Sequence, residues 1–278
     1  MRRALIATAA VAALTAVAPT ATAGNAPAPE PTSGARSAGI TEPGQAYMGW
    51  RERGTPLKAS QVDKSTARES GVTATVSGID VSNWQGQVDW AGQWAAGKRF
   101  AYVKATEGTS YKSPSFNHQY TGSYTQGFIR GSYHFALPDR SSGTAQADWF
   151  VNNGGGWSAD GKTLPGALDM EWNPYGATCF GKTQAGMVTW IQDFVKRYKA
   201  RTGRAPVIYT NTNWWNQCVG HDTRFAAEVP LWIARYSTAA GTLPTGWSYY
   251  TFWQYSDTPI DQNVFNGSLD RLRALATG

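Results

Sequence analysis

The chain has 278 residues, 41% of them hydrophobic and 16% charged, with 30 Gly and 14 Pro. That length holds one large domain or two small ones, and the apolar fraction excludes wholesale disorder. Two cysteines exclude a disulfide-rich scaffold or an all-cysteine zinc site; three scattered histidines, His118, His134 and His221, argue against a histidine-based metal centre.

No cofactor is expected. The net charge of +6 is spread along the chain. A weak positive excess suits an anionic polymer such as a bacterial wall. It is too diffuse for nucleic acid, which calls for a clustered basic face.

The first 23 residues read as a secretory signal peptide. Arg2 and Arg3 form a positive start, Ala4 to Ala18 is uncharged and mostly apolar, and Ala21-Thr22-Ala23 fits a small-residue cleavage site. A membrane span needs about 20 apolar residues, and this run is shorter and bounded by Pro19. Secretion is therefore expected, with no membrane span. In an oxidising compartment the even pair Cys179 and Cys218 favours a disulfide, with two buried thiols as the alternative.

Residues 24–76 are expected to be a linker, a propeptide or an N-terminal arm. Up to about Gly44 they are rich in Ala, Pro, Ser and Gly, with little to bury. The stretch Thr41–Val76 is mixed and polar and has no assignable fold, either a processed arm or a strap on the main domain.

From about Ser77 the texture changes. Strands are expected at Gly78–Val81, Phe100–Ala105, Phe128–Phe135, Gly166–Glu171, Ala205–Thr210, Pro230–Arg235, Tyr250–Tyr255 and Ile260–Phe265. Helices are expected at Asp89–Gly97, Ser115–Gln126, Thr144–Asn152 and Thr183–Arg201. In the last, Met187, Trp190, Ile191, Phe194, Val195 and Tyr198 recur at helical spacing, and Gly203 stops it. Strands alternating with helices imply a mostly parallel sheet, and eight strands allow it to close. The later connections show no apolar stripe. The reading is an α/β fold, a reduced and irregular β/α barrel in one catalytic domain over 77–278.

Leu168-Asp169-Met170-Glu171-Trp172 is the most informative stretch for chemistry, with a solvated edge or a structural ion pair with a lysine as the plainer alternatives. Strand side chains alternate, so Asp169 and Glu171 point to one side. Two acids crowded in a partly desolvated cleft favour protonation of one. A proton donor beside an ionised carboxylate is what glycosidic cleavage needs. Asp80, inside a short apolar strand, and Asp261, on the last one, would join them if strand ends meet at one rim. A cap for Asp80 and a turn for Asp261 are the plainer alternatives. Aromatic residues accompany the acids: Trp84, Tyr133, Trp172, Tyr209, Trp253 and Tyr255. Flat rings can cover the apolar faces of sugars. Trp90, Trp94, Trp149 and Trp190 lie on helical stretches and read as packing.

Six motifs in order carry a resemblance. They are Gly78-Ile79-Asp80-Val81-Ser82 with Trp84-Gln85-Gly86, then Tyr102-Val103-Lys104-Ala105-Thr106-Glu107-Gly108 and Gly131-Ser132-Tyr133-His134-Phe135-Ala136. Leu168-Asp169-Met170-Glu171, Trp253-Gln254-Tyr255 and Asp261-Gln262-Asn263 complete the set. Over about Ser77 to Ala276 the sequence resembles the glycoside hydrolase family 25 lysozymes. The resemblance implies a modified TIM-like (β/α)5(β)3 barrel. It also implies cleavage of the β-1,4 bond from N-acetylmuramic acid to N-acetylglucosamine in bacterial peptidoglycan, by a monomer. By resemblance Glu171 matches the proton donor, Asp169 the carboxylate beside the reacting sugar, and Asp80 and Asp261 the flanking acids. Tyr133, His134, Lys104, Glu107, Trp172, Tyr209 and Trp253 are candidates for substrate contact or support. Cys179 and Cys218 resemble a disulfide of bacterial secreted members. Two rivals remain, a chitinase-like glycosidase and a non-catalytic wall-binding module. The first lacks its longer acidic signature, because Leu164 and Ala167 stand where acids would fall.

Overall fold

The computed structural model describes residues 30–52 and 74–278. The leader expected over Met1–Ala23 lies outside the described residues. The strands are β1 (Val76–Val81), β2 (Phe100–Glu107), β3 (Tyr111–Lys112), β4 (Ile129–Phe135), β5 (Ala167–Asp169), β6 (Val207–Thr210), β7 (Leu231–Ala234), β8 (Phe252–Ser256) and β9 (Gln262–Phe265). β1 pairs with both β2 and β9, so eight strands close on themselves, while β3 is a short antiparallel flap on β2. Every barrel pairing is parallel except the two made by β9.

Helices Trp90–Ala95, Phe116–Gln126, Gly143–Phe150, Gln184–Thr202 and Thr212–Cys218 follow the first five barrel strands in turn. No helix separates β7 from β8, or β8 from β9. This is the expected (β/α)5(β)3 barrel. Side-chain alternation builds two apolar layers. Residues such as Tyr102, Tyr133, Ala167, Tyr209, Trp232 and Phe252 fill the interior. Their neighbours, including Val103, Leu168 and Ile208, face the helices. The C-terminal helix Leu269–Thr277 adds Leu272 and Ala276 to the interior cluster, beside Phe100 and Ile129 at the starts of their strands. It closes the N-terminal end of the barrel.

Helix Thr212–Cys218 was not anticipated. Its Thr-Asn-Trp-Trp-Asn-Gln-Cys sequence contains weak helix formers. The Asn211 side chain caps it by accepting from Trp214 N at 2.8 Å, and buried Trp214 and Trp215 anchor it. Strand β5 ends two residues earlier than expected. Met170 N still donates to Tyr209 O at 2.9 Å, after which the chain leaves the sheet toward Pro174.

Buried Ala35 and Ile40 correct the expectation of little to bury up to about Gly44, while buried Ala46, Met48 and Trp50 fit the strap alternative for the stretch that follows. The segment is packed onto the barrel.

The Cys179–Cys218 disulfide joins the loop after β5 to helix Thr212–Cys218, with a sequence separation of 39. Closing a loop of that length stabilises by about 4 kcal/mol in the chain-entropy model. Replacing both cysteines by serine should lower the thermal midpoint and the urea midpoint. Unchanged midpoints would show that this bridge constrains nothing the fold does not already fix.

Candidate active site

Parallel strands bring their C-terminal ends to one rim. Asp80 lies near the end of β1 and Asp169 at the end of β5, with Glu171 two residues beyond. Asp261 stands just before β9, whose reversed direction puts its start at the same rim. The four acids thus converge as expected. Asp80, Asp169 and Glu171 are each 1% exposed and Asp261 is 6% exposed.

Buried carboxylates cost free energy unless they are bonded or neutral. Asp80 is bonded. Its Oδ2 accepts from Gln254 Nε2 at 2.9 Å and Asn263 Nδ2 at 2.6 Å. Tyr209 Oη donates to Gln254 Oε1 at 2.6 Å, and Trp232 Nε1 donates to Asn263 Oδ1 at 2.9 Å. Those two bonds fix both amides so that their N–H groups face Asp80. Burial still pushes Asp80 up to about 7, against the pull of these donors. Asp261 is raised by burial, then by the neighbouring Asp80 and Asp257 charges.

Asp169 and Glu171 are bonded less completely. Neither Asp169 oxygen, nor Glu171 Oε2, accepts an N–H or O–H from another side chain or backbone among the described residues. The two carboxyls act on each other electrostatically. Both are pushed well above the usual carboxylate range, chiefly by burial. The Lys104 charge favours ionised Asp169, against burial and the Asp80 and Glu107 charges. The Asp169 charge in turn favours protonated Glu171, with the Gly49 N–H opposing. Burial and mutual repulsion disfavour two negative charges here, and the Lys104 charge near Asp169 tilts the proton toward Glu171.

The other expected site residues divide. Tyr133 and Tyr209 point into the barrel beneath the acids, and both hydroxyls are raised by burial and by carboxylate charge. Lys104 and Glu107 form a buried ion pair at 2.6 Å, with Tyr175 Oη donating to Glu107 Oε1 at 2.6 Å. Trp172 is half-buried under the Arg51 guanidinium, 4.5 Å from its ring.

His134 and Trp253 do not reach the mouth. His134 stacks between Phe150 and Phe194, and its ring nitrogens bond Thr106 and Gln146. Trp253 lies in an outer cluster with Tyr250 and Tyr255, its Nε1 donating to Arg235 O at 2.9 Å. The reason is alternation. If Tyr133 and Phe252 face inward, His134 and Trp253 face outward.

Gln254, Asn263 and Tyr236 were not singled out from sequence. Gln254 shares the inward face of β8 with Phe252, so its spacing from Phe252 is the signal that could have marked it. Among the described residues no group of His, Cys, Asp and Glu is set to hold a metal ion.

Residues 30–52 run over this mouth. Gly49 N donates to Glu171 Oε1 at 2.7 Å, and Met48 joins the barrel-interior cluster. Gly44 N donates to Glu107 Oε1 at 3.0 Å, while Lys104 Nζ donates to the Gly44 and Ala46 carbonyls. Trp50 Nε1 donates to Trp172 O, and Trp84 Nε1 to Gln45 O.

The family model for glycosyl hydrolases family 25 matches residues 79–264. The chain belongs to glycoside hydrolase family 25. It is a glycoside hydrolase of the lysozyme type, as its relatives show. Lysozyme M1 of Streptomyces globisporus is 51% identical over 242 residues, 84% of this chain and 82% of its own. The N,O-diacetylmuramidase of Chalaropsis is 51% identical over 211 residues, 73% of this chain and all of its own. A muramidase structure from Acremonium alcalophilum is 59% identical with a TM-score of 0.72, covering 73% of this chain and 99% of its own.

Two buried groups set opposite pH limits on this family 25 barrel. Asp80 holds its proton more tightly folded, at about 7, than its ordinary 3.8. Its contribution to stability is complete below 3.8 and lost as pH rises through about 7. His134 is pushed from 6.5 down to about 4, mainly by burial. Its contribution is complete above 6.5 and lost as pH falls through about 4. The thermal midpoint should peak between those limits, and Asp80→Asn should reduce the fall on the alkaline side. An unchanged alkaline fall in that variant would remove Asp80 as a source.

Proposed function

We propose that this chain is a secreted, monomeric N-acetylmuramidase that hydrolyses the β-1,4 bond from N-acetylmuramic acid to N-acetylglucosamine in bacterial peptidoglycan. The observation that carries this reading is the Asp169–Glu171 pair, one acid and one anion at the mouth of a family 25 barrel. Relatives named lysozyme and N,O-diacetylmuramidase support the substrate class. The leader-like first 23 residues and the Cys179–Cys218 bridge support export.

Glu171 protonates the glycosidic oxygen as the bond to the anomeric carbon breaks. The muramic acid N-acetyl oxygen attacks that carbon from the opposite face, forming an oxazolinium ion. Asp169, held anionic near Lys104, stabilises its positive charge. The leaving sugar departs with the Glu171 proton. Glu171, now a carboxylate, takes a proton from water as the water opens the ring, so the anomeric configuration is retained. The placement of both carboxyls two residues apart on one face, each acting on the other electrostatically, supports this route. Asp80 and Asp261 flank the pair. Tyr133 and Tyr209 form the floor, and Trp172 offers an aromatic face at the rim.

Glu171→Gln keeps the shape and removes the proton. It should fold with unchanged circular dichroism and lose wall lysis by about 100-fold or more. Near-normal lysis would take Glu171 out of the donor role. Proton NMR of fresh product should show the β-anomer first, and an initial α-anomer would rule out retention.

A further inference from the structure

The residues expected to do chemistry are closed off. Asp169 and Glu171 are each 1% exposed, so no polysaccharide reaches them in this arrangement. What covers them is the chain's own residues 30–52. The segment is bound along its length. Thr32 N donates to Pro174 O at 2.7 Å at one end. Tyr47 meets Trp84 edge-on with ring centroids 5.8 Å apart. In between, the backbone of Gly44 to Gly49 engages Glu107, Lys104 and Glu171.

The fit is tightest at Gly49. Its φ is +77°, and a Cβ there would lie 2.3 Å from Tyr236 Oη and 2.7 Å from Gln254 Oε1. Only bare backbone fits between those groups and Glu171. Gly44 repeats the pattern, with φ of +91° and the Tyr111 ring 2.2 Å from a Cβ. Met48 is fully buried among the interior aromatics. An N–H on the proposed acid and an apolar side chain in the mouth occupy the space a reacting sugar requires. On the near side a cavity of about 240 Å³ remains, lined by Tyr47, Trp84 and Asp261 among others. The proposed donor is not on its wall.

Related barrels stand without a counterpart of this much chain. The Acremonium muramidase and an Aspergillus fumigatus family 25 lysozyme are matched over 99% and 100% of their chains by 73% and 74% of this one. Residues 74–278 alone make up that share. The match to Lysozyme M1 covers 84% of this chain, so it extends upstream of the barrel.

We propose that residues 30–52 are an autoinhibitory plug, seated by Met48 in the barrel mouth and by the Gly49 N–H on Glu171, and that lysis requires its release. This rests on the reading of Asp169 and Glu171 as the catalytic pair. Backbone groups make most of the polar contacts, so the plug recognises the site's charged groups without offering a bond to cleave. Tethering keeps its local concentration high, and proteolytic separation from the barrel removes that advantage.

The test compares the full chain with residues 74–278 on purified walls. The shorter protein should lyse about tenfold faster or more, since a closed mouth reduces the competent fraction. Met48→Asp and Gly49→Val, each in the full chain, should recover most of that difference. A fluorescently labelled peptide of residues 30–52 should bind the 74–278 protein, and its Met48→Asp version should not. Equal lysis by both proteins, or full-chain variants no faster than the parent, would overturn the plug while leaving the muramidase reading intact. If neither residues 74–278 nor the full chain and its variants lyse walls, the muramidase reading falls. Peptide binding then decides the plug by itself, and no binding overturns it.

Discussion

Carboxylates in a dry barrel mouth must be neutralised, bonded or paired, and the rest of this structure follows from how that is done. Asp80 is held by two amides, each fixed from behind by an aromatic donor, Tyr209 or Trp232. Glu107 is paired with Lys104. Asp169 and Glu171 have no such arrangement, and burial raises both. On the proposed function, that difference separates supporting acids from reacting ones. A group satisfied by fixed donors has nothing left to give, whereas an under-bonded pair is poised to protonate one atom and to stabilise charge at another.

The same incompleteness explains why residues 30–52 bind where they do. An under-bonded carboxyl in a narrow opening attracts any N–H that reaches it, and the Gly49 backbone does so without a side chain in the way. The Lys104–Glu107 pair presents both signs of charge to a peptide unit, and Gly44 answers with its N–H and its carbonyl. Groups suited to hold a sugar's acetamido and hydroxyl functions are equally suited to hold a peptide backbone.

Much of this was legible from residues. Short apolar runs alternating with helical patterns marked the barrel, but helical patterning faded after the fourth unit, because the fifth crossover helix, Thr212–Cys218, is built from weak helix formers held by its cap and two buried tryptophans. The Asp-x-Glu spacing put two carboxyls on one face, because strand alternation persists through Met170 even though the ladder stops near there. Alternation also held the information that His134 and Trp253 face outward, since their neighbours fill the interior. Their motif membership pointed the other way, and the physical period is the better guide. Gln254 and Asn263 were hidden because an amide in a strand has many plain uses. The plug was hidden more deeply. It has no helical or strand period, its composition resembles a linker, and its key contacts come from backbone at two glycines.

Burial first, and the Asp169 charge beside it second, hold the Glu171 proton above the ordinary carboxylate range. Carbon-13 NMR of glutamate side-chain carboxyls, assigned by comparison with Glu171→Gln, measures this in both the full chain and residues 74–278. The account predicts a Glu171 carboxyl that stays protonated well above the ordinary 4.5 and moves down when Asp169 is replaced by Asn. A Glu171 signal that titrates at its ordinary value, or that ignores the loss of Asp169, would contradict it.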